Sequence, residues 1–133
     1  MADMKAVKFD LAGRTQYLSY TVEAMFQLDE QFGSMKGLVD AVQDGGREGF
    51  TAACRVAAIL AEQGELARRS LGYDPKPIAS ADEIMASMSP SDIIPLKLAI
   101  PAAISLGYGR EVEPENNEVD LILAELNAQK KTR

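Results

Sequence analysis

Few groups in this chain could carry chemistry. Histidine, the commonest general base and metal ligand, is absent from the 133 residues, which removes any Ser-His or Cys-His nucleophile pair. The one cysteine, Cys54, excludes an internal disulfide and cannot build a structural zinc site. It falls on an apolar stripe, where a thiol behaves as a small core residue. Asp and Glu number 20, but they occur as adjacent pairs such as Asp29-Glu30 and Asp82-Glu83. A solvated helix surface accounts for such pairs better than the facing carboxylates of a glycoside hydrolase. No Asp-x-Asp-x-Asp run offers a calcium loop. Gly45-Gly46 could cradle a phosphate, yet it lacks both a preceding strand and the Lys-Ser/Thr ending of a P-loop. The expectation is a protein with no catalytic residue, no metal and no cofactor, hence not an enzyme.

What remains is apolar surface and the elements that place it. The stretch 47–71, REGFTAACRVAAILAEQGELARRSL, predicts a long central helix with Phe50, Ala53, Cys54, Ala57, Leu60 and Ala61 along one stripe. Its small residues allow neighbours to approach closely, and the hairpin, Phe26, Phe32 and an Ile94 face are expected to pack on it. Gly64 is a candidate kink, and Arg68-Arg69 a solvated cationic end that favours the helix dipole. Before it, β-forming residues on either side of Gly13 predict a hairpin over 4–20, which must pack on helices because a lone hairpin is marginal. Thr21 and Ser34 are N-cap candidates for helices 21–32 and 34–42. Val22, Met25, Phe26 and Phe32 mark the apolar side of the first, Met35, Leu38, Val39 and Val42 that of the second. Past an extended Pro75–Pro77 connection, Ser80 with Glu83 has capping-box spacing for a helix over 80–88. Ser89-Pro90 then opens a helix over 90–106. That last helix is apolar nearly all round, so it is deeply buried or shared with a partner. Pro95 and Pro101 are expected to bend it.

Residues 1–109 thus form one compact domain of α+β, mostly α class: an N-terminal β-hairpin on a bundle of about five helices. Residues 110–118 are an acidic linker with Glu111, Glu113, Glu115 and Glu118. Residues 119–133 predict a tethered amphipathic helix with Val119, Ile122, Leu123 and Leu126 at i, i+3, i+4 and i+7. That helix either folds back over the core or docks into a partner's groove. The net charge of −6 argues against nucleic acid, which demands a clustered basic face. The opening MADMKAVKFD does not read as a signal peptide. The longest apolar run, 93–106, is too short and too interrupted to span a bilayer. The expected setting is the cytosol, with no membrane partner.

Three stretches carry a resemblance to a known family: KAVKFDLAGRTQYLSYTVEAMFQLDEQFG, LAEQGELARRSLGYDPKPIASADEI, and the acidic linker with VDLILAELNAQKKTR. In their order of features they resemble the tail assembly chaperones of long-tailed phages and prophages, in particular the small form of Gram-positive prophages. The likeness covers most of the chain and rests on overall pattern, with no diagnostic motif. It implies a protein of the host bacterial cytoplasm, absent from the mature virion, that binds the long, helical, hydrophobic tape-measure protein. Such a chaperone keeps the tape measure soluble until tail-tube protein polymerises around it, and often has a longer frameshifted form. Expected partners are the tape measure, the tail-tube protein and other copies of the chain, with no nucleic acid and no membrane. The expected contact residues are Val119, Ile122, Leu123 and Leu126, with Ile93, Leu96, Ile100 and Ile104. An alternative of a different class is a structural virion component, such as a minor tail or head-to-tail connector protein. A host regulatory or antitoxin-like module is disfavoured by the lack of a basic face.

Overall fold

The computed structural model describes residues 5–11 and 13–109. Strands β1 (Val7–Leu11) and β2 (Arg14–Leu18) pair antiparallel, Val7 opposite Leu18 and Leu11 opposite Arg14. Five helices follow: α1 (Val22–Phe32), α2 (Met35–Gln43), α3 (Gly46–Ser70), α4 (Ala81–Ser87) and α5 (Ile93–Gly107), the last entered through a 3-10 turn over Pro90–Asp92. This is the α+β, mostly α arrangement that the periodicity predicts. The expected linker 110–118 and helix 119–133 lie outside the described residues.

Local chemistry sets the helix starts. The Thr21 hydroxyl accepts the Ala24 N–H and the Ser34 hydroxyl accepts the Gly37 N–H, each satisfying an otherwise unpaired first-turn donor. Ser80 and Glu83 exchange both bonds of a capping box at the start of α4. Gly33 ends α1 with φ +83°, a conformation that L side chains rarely adopt, and its N–H closes onto the Asp29 carbonyl.

Helix α3 is the hub, packing against β2 and all four other helices. Ala53, Cys54, Ala57, Leu60 and Ala61 of the expected stripe are fully buried, and Phe50 is partly so. Burial extends well beyond that stripe, to Val56, Ile59, Gln63, Gly64, Glu65 and Arg68. Strand β2 explains part of the excess. The Ser19 N–H donates to the Leu60 carbonyl at 3.0 Å, and a Cβ added at Gly64 would overlap the Tyr17 carbonyl oxygen. Gly64 is therefore a point of close backbone approach within an unbroken helix, where a kink was expected.

Two more expectations are corrected. Arg68 is not a solvated helix end but a buried cation, 8% exposed. It donates to Glu65 at 2.7 Å and to the Asp74 carbonyl at 3.3 Å, and its guanidinium lies over the rings of Tyr17 and Tyr73. Glu65 also accepts from Arg69 and from the Lys76 N–H. Burial alone would raise the Glu65 carboxyl, but the Lys76 amide and the two arginines together hold it below the usual range. This cluster pins the 71–77 connection to α3. On α1 the buried residues are Ala24 and Leu28, with Met25 and Phe32 partly covered, whereas Val22 and Phe26 face outward at 67% and 56% exposure. Ala24, Leu28 and Phe32 repeat at i, i+4 and i+8, so the helix turns this stripe to the core and leaves Val22 and Phe26 outside it.

Candidate docking groove

Helix α5 is apolar nearly all round, so its apolar residues alone set no rotational phase and Lys97 is its one polar marker. The phase it takes buries Leu96, Ile100 and Ile104 at 0–2% exposure, together with Ala99 and Ala103. These three expected contact residues are core residues of this chain, because that side meets α3 and the hairpin. Ile93 is half-buried, and Val119, Ile122, Leu123 and Leu126 lie outside the described residues. The outward side carries Ile94, 70% exposed, with Lys97 and Leu98 half-buried beside it. Of the Ile94 face expected to pack on α3, Ile94 itself points outward and Leu98 is half-buried, while Pro101, Ala102 and Ser105 on the same side are buried.

Helices α2 and α5 both pack on α3 but scarcely on each other, and a trough of about 300 Å³ lies between them. Its depth is formed by the buried Leu38 and Val42 of α2 and by Ile100, Pro101 and Ile104 of α5. Its upper walls are Val39 and Gln43 on one side and Ile94 and Leu98 on the other. The Lys97 ammonium donates to the Asp44 carbonyl at 3.2 Å, joining the two walls and placing a cation at the C-terminal end of α2. On α2, Lys36 and Asp40 pair at 3.2 Å in an exposed i, i+4 arrangement. The trough can take up aliphatic side chains, and Lys97 is its one cation.

The outward wall of the groove carries a signal in the sequence. Lys97 is the only charged residue within α5, and Ile94, Leu98 and Pro101 stand at helical spacing around it. A lone charge in an apolar helix marks the water side. Val39 likewise widens the Leu38–Val42 stripe beyond what the seat on α3 covers.

Other candidate chemistry does not assemble. Cys54 is fully buried and its thiol is pushed up to about 11 by that burial, so it stays protonated at neutral pH. Burial first, and then the neighbouring Tyr108 hydroxyl, raise the Tyr20 phenol; the two rings lie 5.5 Å apart. A second depression, lined by Lys8, Phe9, Asp10, Thr15, Asp92 and Pro95, is more open and of mixed polarity. Among the described residues no cluster of carboxylates and thiol is placed to hold a metal ion, and no helix is long and apolar enough to cross a membrane. No protein-family model, curated protein or solved structure matches the chain.

Proposed function

We propose that this chain is a non-enzymatic tail assembly chaperone that binds the tape-measure protein of a long-tailed phage or prophage in the host cytoplasm. It keeps that client soluble until tail-tube protein polymerises around it. The observation that supports this reading is the concave apolar trough between α2 and α5, flanked by the exposed Ile94. A trough between two helices suits an amphipathic helix presenting anchors at i, i+3 or i+4, and i+7. The long, helical, hydrophobic tape measure that the resemblance implies would supply such segments.

The energetics fit a holdase that must let go. Three buried aliphatic anchors contribute roughly 5–9 kcal/mol, against an association cost of at least about 4 kcal/mol. A single site is weak, and many copies along one long client retain it by multivalency. The net charge of −6 keeps the loaded complex dispersed.

Co-expression with a tape-measure protein of a long-tailed phage tests the reading. The tape measure moves from the pellet to the soluble fraction, and purified virions lack this chain by mass spectrometry. Recovery of the chain from virions at ring stoichiometry would overturn the proposal in favour of a connector or minor tail protein.

A further inference from the structure

The hairpin has one covered edge and one open one. Beside β2 the Ser19 N–H donates to the Leu60 carbonyl, and the Tyr17 carbonyl sits against Gly64, so α3 closes that side. On β1 the parity of the register decides which main-chain groups are engaged. Leu11 and Arg14 face each other across a two-residue connection, which makes them a hydrogen-bonded pair. Leu11, Phe9 and Val7 therefore turn their N–H and C=O groups to β2. Lys5, of the same parity, likewise accepts the Ser19 hydroxyl at 3.1 Å. Lys8 and Asp10 turn theirs the other way, and among the described residues no main-chain group meets them. An open depression brings solvent to Lys8, Phe9 and Asp10.

An unpaired strand edge accepts another strand, and the residues of this one select a second copy of itself. Antiparallel self-pairing through the outward groups has three central registers. Centred on Lys8 it sets Lys8 against Lys8, and centred on Asp10 it sets Asp10 against Asp10, like charges directly opposite. Centred on Phe9 it sets Lys8 of each chain against Asp10 of the other, Val7 against Leu11, and Phe9 against Phe9. The charges are free to meet. Lys8 is exposed and stands outside the described ion pairs, while the exposed Asp10 holds the Thr15 hydroxyl. Phe9 is half-buried, which leaves part of its ring to be covered at the axis.

We infer that two copies of this chain pair edge to edge through β1, about a two-fold axis at Phe9, into a four-stranded antiparallel sheet. Lys8–Asp10 ion pairs on either side of the axis fix the register, and the outward main-chain groups of both residues gain partners. No residue lining the α2–α5 groove lines this edge, so the dimer carries two grooves. The inference rests on the hairpin and stands or falls apart from the functional reading.

Sedimentation equilibrium of the full-length chain over a range of concentrations tests it. The parent is a reversible dimer. Lys8→Asp and Asp10→Lys, each alone, set like charges opposite in both pairs and raise the dimer dissociation constant by about tenfold or more. An equimolar mixture of the two variants restores the dimer, because each supplies the charge that the other lacks. A cross-link reads the register without changing either charge. In a Cys54→Ala background, Phe9→Cys forms an interchain disulfide under mild oxidation, since a non-hydrogen-bonded pair sets its Cα atoms about 4.5 Å apart. Val7→Cys, which faces Leu11 of the other copy, does not. A parent chain that is monomeric at every concentration overturns the proposal. So do single variants that dimerise as tightly as the parent, a mixture that stays monomeric, or Val7→Cys cross-linking as readily as Phe9→Cys.

Discussion

At Gly64 the seating of β2 on α3 comes down to one missing carbon. The Tyr17 carbonyl occupies the space that any Cβ would take, and backbone on both sides leaves nothing flexible to yield. Gly64→Ala should destabilise the fold by about 3 kcal/mol, where the same change in an exposed helix would stabilise it. Urea denaturation followed by circular dichroism measures this. At the next residue, Glu65 holds three donors, two guanidinium groups and a main-chain amide. Glu65→Gln leaves the buried Arg68 cation without its counter-charge and should cost about 3 kcal/mol. The folded-state carboxyl titrates below its unfolded value. Its contribution is therefore complete above the ordinary Glu value of about 4.3 and is lost as pH falls from there through the folded pKa. Urea midpoints at neutral and acidic pH should show a smaller acid loss for Glu65→Gln than for the parent chain.

At the scale of elements, α1 is joined to α3 through its own cap. Thr21 accepts the Ala24 N–H and donates to the carbonyl oxygen of the Gln63 side chain at 2.7 Å, so one hydroxyl both starts α1 and ties it to the hub. Thr21→Ala should cost about 2 kcal/mol, roughly half from the cap and half from the Gln63 bond. In a double-mutant cycle with Gln63→Ala the two changes should fall short of additive. Much of this layer was legible in sequence, because caps and stops are local: Thr21, Ser34, Gly33 and the Ser80–Glu83 pair act within four residues of themselves. Rotational phase was not legible where apolar residues surround the helix. On α5 the stripe with more large residues reads as the outward one, but tertiary packing places Leu96, Ile100 and Ile104 inward. On α1 the bulk of Val22 and Phe26 suggested burial, yet the close seat on α3 favours Ala24. Arg68 is different. Glu65 stands one turn before it at i−3, but the rings of Tyr17 and Tyr73 and the Asp74 carbonyl that enclose it are brought there only by the fold.

At the scale of the whole molecule, a small-residue helix draws β2 and the four other described helices onto itself, with few contacts between α2 and α5. The trough between them follows from that architecture: two helices sharing one support and bridged by the Lys97 bond to the Asp44 carbonyl. Two apolar surfaces result, the concave α2–α5 groove and the convex Val22–Phe26 patch on α1. The functional proposal places the client in the first, because a groove removes an anchor side chain from water on several sides and a convex patch on one. Ile94 and Leu98 are accessible enough to be changed without opening the core. The direct test is co-expression of the tape-measure protein with the parent chain, with Ile94→Asp and Leu98→Asp combined, and with Val22→Asp and Phe26→Asp combined. The account predicts soluble tape measure with the parent and the α1 variant, and tape measure in the pellet with the groove variant, although that variant remains folded by circular dichroism. Tape measure that stays soluble with the groove variant, or is lost with the α1 variant alone, would contradict it.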